Sequence, residues 1–160
     1  GNDLWILDEI DERCRADILI VEYNPLFGDK YAIAVPYAPD FNRFHAHYSG
    51  LYFGASLTAI RKVAAKKRYT FVGTCSNGIN AFFVADEHAS RIMGKIEAAI
   101  GFPSRHRDSR DESGRQTIAR SDERIALIKD LPVIANTLNR KLPIEEFGEL
   151  NSPEWNALMR

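Results

Sequence analysis

Four consecutive branched aliphatic residues, Ile18-Leu19-Ile20-Val21, run directly into Glu22-Tyr23-Asn24-Pro25. Side chains branched at Cβ suit a pleated strand better than a helix, and the run is too short for a helix buried all round. No polar residue alternates with the apolar ones. The expectation is therefore a strand at 17–23 covered on both faces, as inside a parallel sheet. Pro25 has no N–H for a ladder, so the strand must stop at Asn24.

The flanking segments supply the cover. Residues 4–14 carry Ile6, Leu7, Ile10 and Cys14 on one helical stripe, and Asn2 or Asp3 can cap its first turn. A second apolar run, 31–35, stops at Pro36, and 37–49 reads as an ordered loop rich in proline and aromatics. Residues 49–68 then predict a long helix with Ser49 at its cap and Arg61, Lys62, Lys66, Lys67 and Arg68 crowding its end, where cations suit the helix dipole. Residues 69–75 and 80–85 predict two strands around Asn77-Gly78, a pair that tolerates the positive φ of a tight hairpin. Asp86 caps a further helix carrying Ile92, Met93, Ile96 and Ile100.

Residues 101–120 are polar and read as a solvated connection. A last helix follows at 122–129, and the tail after Leu131 has weak periodicity. Strands alternating with helices predict an α/β fold with a mostly parallel sheet, flanking helices and a C-terminal antiparallel hairpin. The division expected is an α/β body over 1–100 and a polar connection with helical extension over 101–160.

Composition narrows the partners. With 21 basic against 22 acidic residues the formal charge is −1, which gives no electrostatic reason to bind nucleic acid or an anionic membrane. No apolar run approaches the roughly 20 residues a membrane helix needs, and the N-terminus lacks the basic start and apolar core of a secretion signal. Cys14 and Cys75 fit no zinc-ligand spacing and read as free thiols of a cytoplasmic protein.

Several strings resemble one family, the FkbM-like, SAM-dependent methyltransferases. They are Gly1-Asn2-Asp3-Leu4-Trp5, Ile20-Val21-Glu22-Tyr23-Asn24, the stretch from His47-Tyr48-Ser49-Gly50 through Leu51-Tyr52-Phe53-Gly54 to Ala55-Ser56-Leu57, and Asn77-Gly78-Ile79-Asn80-Ala81-Phe82-Phe83-Val84. Ser109-Arg110-Asp111-Glu112 is a weaker fifth. Together they cover roughly residues 1–115. The resemblance implies the second half of a Rossmann-like sheet of the class I methyltransferase type, with S-adenosylmethionine (SAM) as cofactor. It also implies O-methylation of a sugar or related hydroxyl. The family's glycine-rich loop is absent: no GxGxG occurs in the chain. The activity is thus expected of a longer parent, and this chain is expected to be inactive alone.

Ligands of open α/β sheets bind beyond the strand tips, which singles out Glu22, Tyr23 and Asn24. The resemblance implies Glu22 and His47 as candidate bases that take the proton of an attacking hydroxyl. It implies Tyr23, Asn24, Tyr48, Ser49, Tyr52 and Asn80 as acceptor-binding residues, and Asn2 and Asp3 at the cofactor rim. The pair His45 and His47 has only scattered Asp40 and Glu22 nearby in sequence and is not expected to hold a metal. The partner expected is a small-molecule or saccharide acceptor. A strand with an uncovered edge would also favour a homodimer. The competing function is a non-catalytic α/β binding or interaction module. A hydrolase is disfavoured because no GxSxG elbow is present.

Overall fold

The computed structural model describes residues 1–96, 99–104, 106–135 and 140–159. Arg105 of the polar run lies outside the described residues. Helix α1 (Asp3–Glu9) leads to β1 (Ile18–Glu22), a two-residue β2 (Ile33–Ala34) and the short α2 (Arg43–Ala46). Then follow α3 (Leu57–Lys66), β3 (Tyr69–Thr74), β4 (Asn80–Ala85) and α4 (Asp86–Met93). The C-terminal part holds β5 (His106–Arg110), β6 (Gln116–Arg120), α5 (Ser121–Ala126), β7 (Pro132–Ala135), β8 (Arg140–Pro143) and α6 (Pro153–Met159).

Among the described residues the strands form three sheets, ordered β1-β4-β3, β2-β7-β8 and β5-β6, and every named pairing is antiparallel. This overturns the mostly parallel, Rossmann-like sheet expected from the sequence. The cause lies in β4. The chain crosses from β1 through α3 to β3, so those two strands point the same way. The tight turn after β3 then sends β4 back between them, and β4 pairs antiparallel with both. Nor is β1 an interior strand, because among the described residues it pairs with β4 alone. Its apolar run is split by the pleat. Val21 is buried and Leu19 half-buried against the core, whereas Ile18 and Ile20 are 60% and 62% exposed.

Two cores form. In the first, α1 contributes Leu4 and Leu7, α3 contributes Ile60, Val63 and Ala64, and the sheet contributes Val21, Phe83 and Ala85, with Trp155 of α6 closing it. In the second, Leu26, Phe27, Ile33, Leu51 and Tyr52 pack with Ile128, Val133, Ile144 and Leu150. Residues from both ends of the chain therefore share one interior. Burying each large aliphatic or aromatic side chain contributes about 1.5–3 kcal/mol.

Two elements depart from expectation near the candidate site. The long helix starts at Leu57, not at Ser49, because Gly50 and Gly54 hold φ of +67° and +64°, a region closed to a continuing right-handed helix. Ser56 is the cap: its Oγ accepts from the Ala59 N–H at 3.1 Å and donates to the Tyr31 carbonyl at 2.7 Å. Residues 106–120 form the β5–β6 hairpin where a solvated connection was expected. Its turn is held by Asp111, whose carboxylate accepts from the Ser113 and Arg115 N–H groups at 3.0 Å.

Candidate functional site

The end of β1 is the organising point. Tyr23 N–H donates to the Ile79 carbonyl of the hairpin at 2.9 Å, and Asn24 N–H donates to the Ala55 carbonyl at 2.7 Å. The Asn24 side chain is fully buried. Its amide donates to the Leu51 and Phe53 carbonyls, both at 2.9 Å, and its oxygen accepts from the Leu26 N–H at 3.1 Å. The loop 47–56 is thereby tied to the strand tip. Tyr23 is equally buried: its ring packs 6.4 Å from that of Trp155, and its phenol donates to the Phe102 carbonyl. Asn24 and Tyr23 thus act inside the protein, by fixing the loops that surround the tip.

The surface around the tip carries other predicted residues. Glu22 and Asn80 sit opposite each other in the β1–β4 register, and both are partly exposed. On the loop, His47 Nδ1 lies 2.7 Å from Ser49 Oγ, and the Tyr48 ring centroid is 4.3 Å from that of His47. The buried Ser49 hydroxyl accepts from the Leu51 N–H at 3.2 Å, and Ser49 N–H approaches His47 Nδ1 at 3.4 Å. With both Ser49 groups directed at it, Nδ1 is assigned as the acceptor, which places the proton of neutral His47 on Nε2. Burial holds the imidazole below its ordinary pKa of 6.5. Neutral His47 therefore carries its N–H donor on Nε2.

Tyr52 lies elsewhere, in the second core, where its phenol donates to the Pro132 carbonyl and burial pushes its pKa up to about 12. Asn2 donates its amide to the Ala38 carbonyl at 2.7 Å, while its Oδ1 is buried with no hydrogen-bond partner among the described residues. Asp3 is half-buried in the first turn of α1. One orphaned acceptor and one carboxylate do not make a cradle for SAM, and no glycine-rich loop is present to complete one.

Three further residues escaped the sequence reading. Cys75, at the hairpin turn, receives the Asn80 and Ile79 N–H groups on its sulfur at 3.2 and 3.4 Å. Arg43 and Arg110 converge on Phe44, although they are far apart in the chain. The turn signal at Asn77-Gly78 pointed toward the first, but nothing local pointed to the second pair. Among the described residues, no group of three or more metal-ligating side chains comes together. No described helix is long and apolar enough to cross a membrane. Comparison with protein-family models, with curated proteins and with solved structures returns no match for this chain.

Proposed function

We propose that this chain forms the acceptor side of a cytoplasmic SAM-dependent O-methyltransferase that acts on a saccharide hydroxyl. One observation carries the proposal: three of the strings that resemble that family, scattered along the sequence, fold against one another at the end of β1. Asn24 ties the His47–Leu57 stretch to the Glu22-Tyr23-Asn24 tip, and the Asn80 strand pairs with that tip through Glu22. Trp5 of the first string donates its indole N–H to the carbonyl of Val35, just after β2 of the second sheet, at 3.1 Å, and the Val35 N–H donates to the Gly54 carbonyl of the third string.

In this role Glu22 accepts the proton of the acceptor hydroxyl, and His47 donates from Nε2 to a neighbouring oxygen, fixing the saccharide's orientation. Asn80 hydrogen-bonds from the opposite strand. SAM, when bound, would supply the methyl group; the described residues form no cradle for it. The outer edge of β1 is where a complementing segment joins.

The test is transfer of labelled methyl from SAM to saccharide hydroxyls, in the polypeptide context that supplies the glycine-rich loop. Transfer that falls by roughly a hundredfold or more in Glu22→Gln, while His47→Gln keeps most of it, supports the assignment. No transfer to any saccharide, or transfer indifferent to Glu22→Gln, overturns it.

A further inference from the structure

Beside loop 47–56, two cations converge on one aromatic ring. The Arg43 guanidinium carbon of α2 lies 4.9 Å from the Phe44 ring centroid and 5.4 Å from that of Phe53. From β5, the Arg110 guanidinium carbon lies 4.3 Å from the same Phe44 centroid. Arg110 is anchored by its own N–H, which donates to the Ser49 carbonyl at 3.2 Å. Neither guanidinium forms an ion pair or a side-chain hydrogen bond among the described residues.

The ring's position depends on Gly50. A Cβ there would lie 2.5 Å from Phe44 Cε1, and the φ of +67° also favours glycine. The loop thus leaves a seat for Phe44, and Phe44 holds both guanidiniums. Cation–π contact orients a guanidinium but leaves its charge and its N–H fork unsatisfied. Between the two lies a cavity of about 170 Å³, with Asp108 and Gln116 also on its wall. Asp108 offsets one of the two positive charges, and the cross-strand neighbour of Arg110, Gln116, brings a further amide.

We propose that this cleft is a phosphate subsite, and that it takes the phosphoryl group of a saccharide phosphate. Two planar forks match the oxygens of a tetrahedral anion, which each can engage through paired N–H donors. Arg43 stands one helical turn before His47, whose N–H donates to the Arg43 carbonyl at 3.1 Å, so the subsite adjoins the proposed acceptor site. That the phosphate belongs to the acceptor saccharide rests on the function proposed above. That the cleft takes phosphate does not.

Titration of the isotope-labelled protein with inorganic phosphate, glucose 1-phosphate and glucose, followed by amide and guanidinium NMR, tests this. Both phosphates are expected to give saturable shifts at Phe44, Arg110 and Gln116, and glucose none. Phosphate affinity is expected to fall at least about tenfold in Arg43→Gln and in Arg110→Gln, and to rise in Asp108→Asn, a change of sign that general loss of structure cannot produce. Shifts that never saturate, or affinities unchanged in both arginine variants, overturn the subsite. Binding of inorganic phosphate without glucose 1-phosphate overturns the saccharide assignment. These affinities need no methyl transfer, so a failed transferase assay beside intact phosphate binding removes only the earlier proposal.

Discussion

The buried amide of Asn24 donates to the carbonyl of Leu51 across 2.9 Å, joining the end of β1 to a loop that begins more than twenty residues later. The same side chain serves Phe53 and Leu26. Asn24→Ala would leave two carbonyls and one N–H in the interior without partners. At about 1 kcal/mol for each lost bond, the expected cost is about 3 kcal/mol in urea unfolding. Asn24→Asp is expected to cost at least as much at pH 7, since a carboxylate presents no donor to either carbonyl. A loss below about 1 kcal/mol for both variants would show that the loop holds without this clamp.

Tyr52 makes a comparable link in the second core, from the same loop to the Pro132 carbonyl of β7. Tyr52→Phe removes the donor, keeps the ring, and leaves the carbonyl unpaired, at an expected cost of about 1–2 kcal/mol near neutral pH. The phenol's pKa is raised in the folded protein from 10.0 to about 12. A raised pKa means the contribution is complete below pH 10 and is lost as pH climbs from 10 toward 12. The stability gap between wild type and Tyr52→Phe should therefore narrow over that interval, as measured by denaturant unfolding at stepped pH. A constant gap would contradict the assigned donor.

How far the sequence revealed this arrangement depended on the range of each cause. Asn77-Gly78 announced the β3–β4 hairpin because a tight turn is decided by the residues inside it. Ile18-Leu19-Ile20-Val21 announced a strand, but its neighbours are chosen by contacts sixty residues away, and periodicity carries no direction. Four apolar residues in a row suggested two covered faces, whereas one face meets solvent. Gly50 and Gly54 were visible signs that no helix could run from Ser49, yet the apolar spacing of Phe53, Leu57 and Ile60 outweighed them. Arg43 and Arg110 meet only because the β5–β6 hairpin folds onto loop 47–56, which no local pattern encodes.

Cys75 should behave as an acidic thiol. Burial pushes its pKa up, but the backbone N–H groups of Asn80, Ile79, Asn77 and Cys75 itself outweigh that and hold it below the ordinary 9.0. The thiolate is thus favoured by the folded turn. Its contribution to stability is present above the unfolded pKa and fades as pH falls through the lowered one. Alkylation of Cys75 by iodoacetamide, followed by peptide mass spectrometry, is expected to show a rate midpoint below pH 9.0 in the native protein. In urea the midpoint should return to the ordinary thiol range. The same midpoint in both states would remove the turn's role.

The last prediction concerns the open edge of β1. In its register with β4, the Asp17 carbonyl accepts from Ala85 N–H and Tyr23 N–H donates to the Ile79 carbonyl. Ladder bonding alternates along an antiparallel strand. The odd-numbered residues therefore face β4, and the N–H and C=O groups of Ile18 and Ile20 point off the edge. Ile18 and Ile20 also stand exposed beside those groups, with no lysine or proline in the strand to repel a visitor. Two copies paired antiparallel about Ile20 would bond the Ile20 groups to one another and bury four isoleucines. Sedimentation of the isolated chain should reveal concentration-dependent dimers, weakened at least about tenfold by Ile20→Lys. Ile6 supplies the control, since it is 62% exposed but lies on α1 and not on a strand edge. Equal weakening by Ile6→Lys would mean general apolar adhesion instead of strand pairing, and a wild-type chain that stays monomeric at every concentration would refute the edge as a contact.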